Sequence, residues 1–520
     1  MSRIRIVGGT ITKTTVGDHN IYSDGNIVYS SGKAITETSD TGINYGEPKD
    51  APVPKKIEAT DFDITFELDK KETTLVPFGI LDFKNKEENQ FFKFKLKISG
   101  QGINQWQLDV KNEDGIIYTC YSATNELSEV VITSKTKKSG KSISKEEPEN
   151  KKSESFWPAG EYIIFWDGFD NNEIYDTTKF NSKNLKAIIT GIKDGKQKTA
   201  TIDFSANYSQ VQWTDVKIDK KKKRIDVNLR VNLIDGGEQG LGCNIDTEFS
   251  LFPKSAVEIC DWDKVPEKVT SKYKIDPLKT RTKTFEELKK YVLDGLNYYW
   301  SRNSGRGKNV VLDGMAYEIY VKALNSGEKG KTLNNIPLIF NTNGKSSRSG
   351  NTGGAYPDGN LDDEFMEALP NGIVQRISYN TGYVKNDWES DSLDGWRFYN
   401  DSDSGGAFDA ISKFKETAAH EIGHEILQAY GGTVYSWQHK GSSYYLPQNT
   451  KPMAGKESII EKYVYIDYMN KSSGEEYPTK GEIDLMKYYN NTPNPIDQKR
   501  LIAIPKDVLS LVWLSKIKIK

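Results

Sequence analysis

The run Thr417-Ala-Ala-His420-Glu421-Ile-Gly-His424-Glu-Ile-Leu427 constrains the fold more than any other stretch of the chain. Ala418, Ala419, Ile422, Ile426 and Leu427 fall at helical spacing, so the run reads as a helix set into a core. Imidazoles left unpaired in such a core are costly. The i, i+4 spacing of His420 and His424 places both on one face, a turn apart, where a single Zn²⁺ can take both. Glu421, beside the first imidazole, is positioned to act as general base on a water that the ion activates. Histidine is otherwise scarce: there are four in 520 residues, and only His19 lies outside the span from 420 to 439. Gly423 costs a helix about 1 kcal/mol relative to Ala, so that position calls for the absence of a side chain.

The helix should end at Tyr430, because Gly431-Gly432 is a C-cap signal that turns the chain back. A catalytic zinc takes three protein ligands and keeps one position open for water. His439, in the segment after that turn, is the expected third ligand. Glu457, Glu461 or Glu482 from a later helix is the alternative, with Asp467 a weaker one. Tyr435, Tyr488 and Tyr489 are candidates by position for stabilising an oxyanion. The metzincin pattern would require Gly at 427 and His at 430, where this chain has Leu427 and Tyr430. Even so, Glu482-Ile-Asp484-Leu-Met486-Lys-Tyr-Tyr489 resembles the Met-turn of that clan, in which a methionine lies beneath the metal. A core methionine in a short helix is the competing reading.

A net charge of −2 provides no bulk attraction for nucleic acid or an anionic membrane. No stretch approaches the ~18 apolar residues of a membrane span. Met1-Ser-Arg-Ile-Arg-Ile-Val-Gly-Gly lacks the apolar core of a signal peptide, so the chain is expected to stay cytoplasmic or to leave without a cleaved signal. Cys120, Cys243 and Cys260 have no metal-ligand spacing. At most one disulfide could form, buried free thiols are expected, and a cysteine nucleophile is not supported.

Turn residues divide the chain. Residues 1–50 read as short strands too few to bury a core alone, and a Pro/Lys linker, Pro48–Lys56, follows. Residues 57–205 alternate as β strands, for example Phe62–Phe66, Phe91–Ile98 and Trp106–Val110, which suggests a sandwich. The run Ser134–Ser155 inside it has almost nothing apolar and reads as a solvated loop. Residues 206–520 mix an alternating strand at Arg224–Leu233, a capping-box helix starting at Thr284 and strands at Ala316–Leu324 and Ile336–Phe340. A polar stretch at about 343–408 leads into the His420 helix. Its acidic residues Asp387, Glu389, Asp391, Asp394, Asp401 and Asp403 lack Ca²⁺-loop spacing and read as solvated.

Two resemblances add to this. Phe156–Gly168 resembles a strand pair of immunoglobulin-like domains related to flagellar hook-cap proteins. The block His420-Glu-Ile-Gly-His424, Gly431-Gly432, Tyr435-Ser and His439-Lys-Gly-Ser-Ser resembles zincin toxin domains attached to bacterial type VI secretion effectors. Gly17–Val28 resembles leader segments of such effectors in Bacteroidetes, which dock on the spike as PAAR-like tips do. The expected fold is therefore multidomain: a β-rich N-terminal part (a short β docking segment, 1–50, plus an immunoglobulin-like β-sandwich, 57–205) followed by an α+β zincin metallopeptidase domain, 206–520. The resemblance implies Zn²⁺ held by His420, His424 and His439, base catalysis by Glu421, and delivery by a contractile injection system into a target cell. Expected partners are a protein or peptide substrate, a secretion spike protein at the N-terminal segment and a cognate immunity protein. The alternatives are hydrolysis of peptidoglycan peptides, or a spike-associated protein whose zinc is structural.

Overall fold

Strict alternation builds the first layers. In the computed structural model, Phe62–Leu68 pairs antiparallel with Phe92–Gly100, which pairs in turn with Gly160–Trp166. Phe62, Ile64 and Phe66 point inward with Phe92, Phe94, Leu96 and Ile98, while Lys95 and Lys97 point to solvent. The structure describes residues 62–71, 73–122, 157–246, 257–345, 349–350, 375–385, 395–406, 408–432, 436, 476–487, 489 and 496–520. All of these belong to one compact unit, Phe62–Lys520. The expected docking segment at 1–50 and the polar loop at 134–155 lie outside them.

A second sheet of six strands faces the first. Its order is Thr74–Leu75, Ile517–Ile519, Lys196–Tyr208, Lys183–Lys193, Gln105–Asn112, Gly115–Tyr121. The sheets approach closely enough that a Cβ on Gly191 would lie 3.2 Å from Ile64 Cγ2. Phe94 and Phe204 meet edge-on across the gap at 6.2 Å. Asp194 and Gly195, at φ +48° and +79°, form the tight turn between the two long strands, as an Asp-Gly pair favours.

The second β region is a seven-stranded sheet around the long strand Arg224–Gln239. The first half of that strand pairs antiparallel with Thr214–Asp219 and parallel with Met315–Asn325. Its second half pairs parallel with Asn335–Asn341, which pairs parallel with Ile377–Asn380. Strands cross between the regions expected to be separate. Ile174–Asp176 joins the seven-stranded sheet through Thr214–Asp219, and Ile517–Ile519 sits in the six-stranded one.

Helices are few: four α-helices among the described residues, against many strands. Two of them frame the site. Phe285–Trp300 starts with a reciprocal capping box, Glu287 N–H donating to Thr284 Oγ1 and Thr284 N–H to Glu287 Oε2. It buries Leu288, Val292, Leu296 and Tyr299, while Phe285 at its start is only half-buried. Ala410–Gly431, hereafter the site helix, crosses it at Gly295, where a Cβ would fall 2.4 Å from the Lys415 carbonyl oxygen. No described helix is long and apolar enough to cross a membrane.

The expectation of free thiols is corrected for two cysteines. Cys243 and Cys260 face each other across the antiparallel hairpin Cys243–Asp246 and Val257–Cys260 and are joined as a disulfide. Spacing alone does not reveal this, because only the hairpin register brings them together. Cys120 is free, and burial pushes its thiol up to about 11, which makes it a poor nucleophile.

Candidate metal centre

The site helix is buried along most of its length because it lies among other elements. Phe414 meets Tyr379 of the sheet edge-on at 5.3 Å, and Tyr430 meets Trp513 of the helix Pro505–Leu514 at 5.2 Å. Before it, the Asp409 carboxylate gathers the loop by accepting from the Ser402 and Ser404 hydroxyls and the Gly406 N–H. Asp401 is taken up by Tyr379 and Lys283, and Asp403 by Lys415 and Ser412. These two aspartates therefore pair with protein groups rather than reaching freely into solvent. Asp387, Glu389, Asp391 and Asp394 lie outside the described residues.

His420 and His424 are both buried, 8% and 5% exposed. Their ring centroids are 4.9 Å apart with the planes at 89°. Each ring is tied at Nδ1 to a backbone carbonyl, His420 to Leu485 O at 2.7 Å and His424 to Ser436 O at 3.1 Å. A carbonyl can only accept, so each Nδ1 must carry the proton. In the neutral ring Nε2 then keeps its lone pair, which is the tautomer a metal requires. Glu421, half-buried, follows His420 on the same helix.

Two different segments supply those carbonyls. Leu485 follows the short strand Ile483–Asp484, which pairs parallel with Leu501–Ile502. Met486, fully buried, presses on the helix from the same segment. A Cβ on Gly423 would lie 2.4 Å from Met486 Sδ and 2.9 Å from Trp300 Cζ2. That close approach accounts for glycine inside the helix. Trp300 also donates its indole N–H to Ala419 O at 3.1 Å.

Ser436 arrives from the other side. The helix ends at Gly432, whose φ of +88° suits glycine, and Ser436 N–H donates back to Gly432 O at 3.1 Å. Its hydroxyl donates to His424 O at 2.6 Å and lies 3.2 Å from His424 Nδ1. The chain does turn back after Gly431-Gly432, and what it brings to the second imidazole among the described residues is Ser436.

His439 lies outside the described residues, together with Glu457, Glu461, Asp467, Tyr435 and Tyr488. Glu482 is committed elsewhere. Its Oε2 accepts from Arg302 at 2.6 Å and its Oε1 from Lys308 N–H at 2.6 Å. Tyr489 accepts from Asp484 N–H at 3.1 Å through its hydroxyl. Sequence reasoning did not single out Ser436, Leu485 or Arg302. The first two act partly or wholly through backbone oxygen, which no side-chain motif marks.

Two imidazoles held at Nδ1, with Nε2 left as the donor atom in the neutral form, fit two of the three ligands of a zinc site. Among the described residues the one cluster of three potential ligand side chains is Cys243, Glu258 and Cys260, where the two sulfurs are bonded to each other. Comparison with family models, curated proteins and solved structures returns no match for this chain.

Proposed function

We propose that the chain is a zinc-dependent peptidase in which His420 and His424 hold the ion, His439 completes the ligand set and Glu421 is the general base. The observation that carries this reading is the pair of Nδ1 hydrogen bonds to Leu485 O and Ser436 O, which sets both buried imidazoles in the metal-binding tautomer. Zn²⁺, when bound, supplies a Lewis acid that polarises the scissile carbonyl and makes water more acidic. Glu421 takes a proton from the attacking water as its oxygen bonds to the carbonyl carbon. It then gives that proton to the leaving amine as the C–N bond breaks. Met486 and Trp300 fix the helix behind the histidines and exclude water from that side. The resemblance to secreted effectors extends the proposal to a toxin delivered into a neighbouring cell. The Cys243–Cys260 disulfide supports a working place more oxidising than a cytoplasm.

The test is zinc per chain alongside toxicity on expression in the cytoplasm and periplasm of a bacterial host. Wild type should bind one zinc and be toxic in one compartment. Glu421→Ala should keep the metal and lose toxicity, and His420→Ala or His439→Ala should lose the metal. If Glu421→Ala behaves as wild type in both compartments, the peptidase reading fails.

A further inference from the structure

Arg302 is fully buried, yet no step of the proposed reaction uses it. Its guanidinium reaches three separate segments. Nε donates to Lys308 O at 2.9 Å, Nη1 to Ala503 O at 2.6 Å and Nη2 to Glu482 Oε2 at 2.6 Å. Glu482 in turn closes on the same loop through Lys308 N–H. Gly307 makes room for the knot: at φ +72°, a Cβ there would lie 2.5 Å from Ile502 Cδ1 and 3.3 Å from Glu482 Oε1.

The knot stands at the root of the arm that holds His420. Glu482 leads directly into Ile483–Asp484, and Ala503 directly follows Leu501–Ile502, the strand paired with it. Leu485 N–H donates to Ile502 O at 3.0 Å, and Leu485 O receives His420. The guanidinium therefore brackets this small parallel pair, holding Glu482 where the first strand begins and Ala503 where the second ends, and the register sets Ala503 level with Leu485, from which His420 hangs. His424 depends on Ser436 and shares none of these bonds.

We infer that Arg302, through its ion pair with Glu482, is a positioning residue for His420: it fixes the Leu485 carbonyl that sets that imidazole's tautomer and direction. The inference rests on the reading of His420 as a metal ligand only for its functional consequence, because the tautomer can be read without metal.

The experiment uses the full chain carrying Glu482→Gln or Arg302→Lys, with Ile189→Ala in the six-stranded sheet as a destabilised control. Imidazole ¹⁵N shifts of the metal-free protein report the tautomers of His420 and His424 separately, and competition with a chelator gives zinc affinity. In wild type both rings should be Nδ1-protonated. In either variant His420 should become a mixture of tautomers while His424 is unchanged, and zinc affinity should fall about 10- to 100-fold. The control should change neither. Should Glu482→Gln fail to fold, Arg302→Lys, which keeps the charge but loses the three-way fork, carries the same comparison. The inference is overturned if His420 keeps its wild-type shifts in a folded variant, or if His420 and His424 change together. If wild type takes up no zinc while His420 alone responds to the variants, the metal reading falls and the positioning role stands.

Discussion

In the paired sheets of residues 62–208, burial is shared among many equivalent side chains; around the site helix it is concentrated in a few close approaches. Phe62, Ile64, Phe92, Phe94, Leu96, Leu185, Ala187 and Ile189 each cover a neighbour that several others also cover. By contrast, a Cβ on Gly295 or Gly423 would fall within 3 Å of a neighbour, and Trp300 and Arg302 are fully buried beside the helix and the His420 arm. A shared core relaxes around a lost methyl group, whereas a contact of backbone on backbone has nowhere to go. The site helix is therefore the more brittle region, and it is the one that carries His420 and His424.

The harshest way to break this contrast is Gly295→Ala. The added carbon would meet the Lys415 carbonyl oxygen at 2.4 Å and its carbonyl carbon at 3.0 Å, both backbone atoms. The helices must part, at a cost of about 3 kcal/mol. Urea unfolding should show that loss, and hydrogen exchange should speed up along Ala410–Gly431. A cost under about 1 kcal/mol would mean that the pair slides freely and the contrast is false.

Gly423→Ala sharpens the same point at a smaller scale. Here the nearest obstacle is the flexible Met486 thioether at 2.4 Å, with the Trp300 ring at 2.9 Å, so a cost of about 1–2 kcal/mol is expected. Met486→Ala should relieve part of it, so the double mutant should be less destabilised than the sum of the singles. Strict additivity would show that Met486 is not what requires glycine at 423. Ile189→Val, in the shared core, should cost only about 1 kcal/mol and leave the proposed zinc binding untouched.

The same difference decides what could be read in advance. Strands at Phe62–Leu68, Phe92–Gly100, Gln105–Asn112 and Met315–Asn325 follow from period-two alternation, a local signal, and the structure has them near the expected bounds. The helix at His420 and its turn at Gly431-Gly432 were legible for the same reason. So was the need for glycine at 423, though not its cause, because Met486 lies 63 positions further along the chain. What stayed hidden was long-range: Ile517–Ile519 completing a sheet begun near residue 74, Cys243 meeting Cys260, and Arg302 binding Glu482. A buried arginine in sequence looks like any surface arginine. Only the three carbonyl and carboxylate oxygens around it show what it does.

The smallest effect expected is local and appears on acidification. For Glu482, burial raises the pKa, but the Arg302 hydrogen bond and charge and the Lys308 N–H outweigh it and hold the carboxyl below 4.5, its ordinary value. For Asp409, burial also raises it, and the Ser402, Ser404 and Gly406 donors together bring it below 3.8. A depressed carboxylate stabilises the fold fully above its unfolded pKa, and that contribution is lost as pH falls through the folded one. Both groups should therefore be silent at neutral pH, Glu482 releasing below pH 4.5 and loosening 483–486, and Asp409 releasing below pH 3.8 and loosening the loop at 402–406. Among the sheet strands near Asp69, the corresponding release frees only a turn, since the Lys71 N–H is what chiefly lowers that carboxyl. Hydrogen exchange across pH 6 to 3 should show protection fading first at 483–486 and 402–406 while 185–189 stays protected. If all three fade together, acid acts on the whole unit at once, and the site helix is no more separable from the sheets than any other part of the fold.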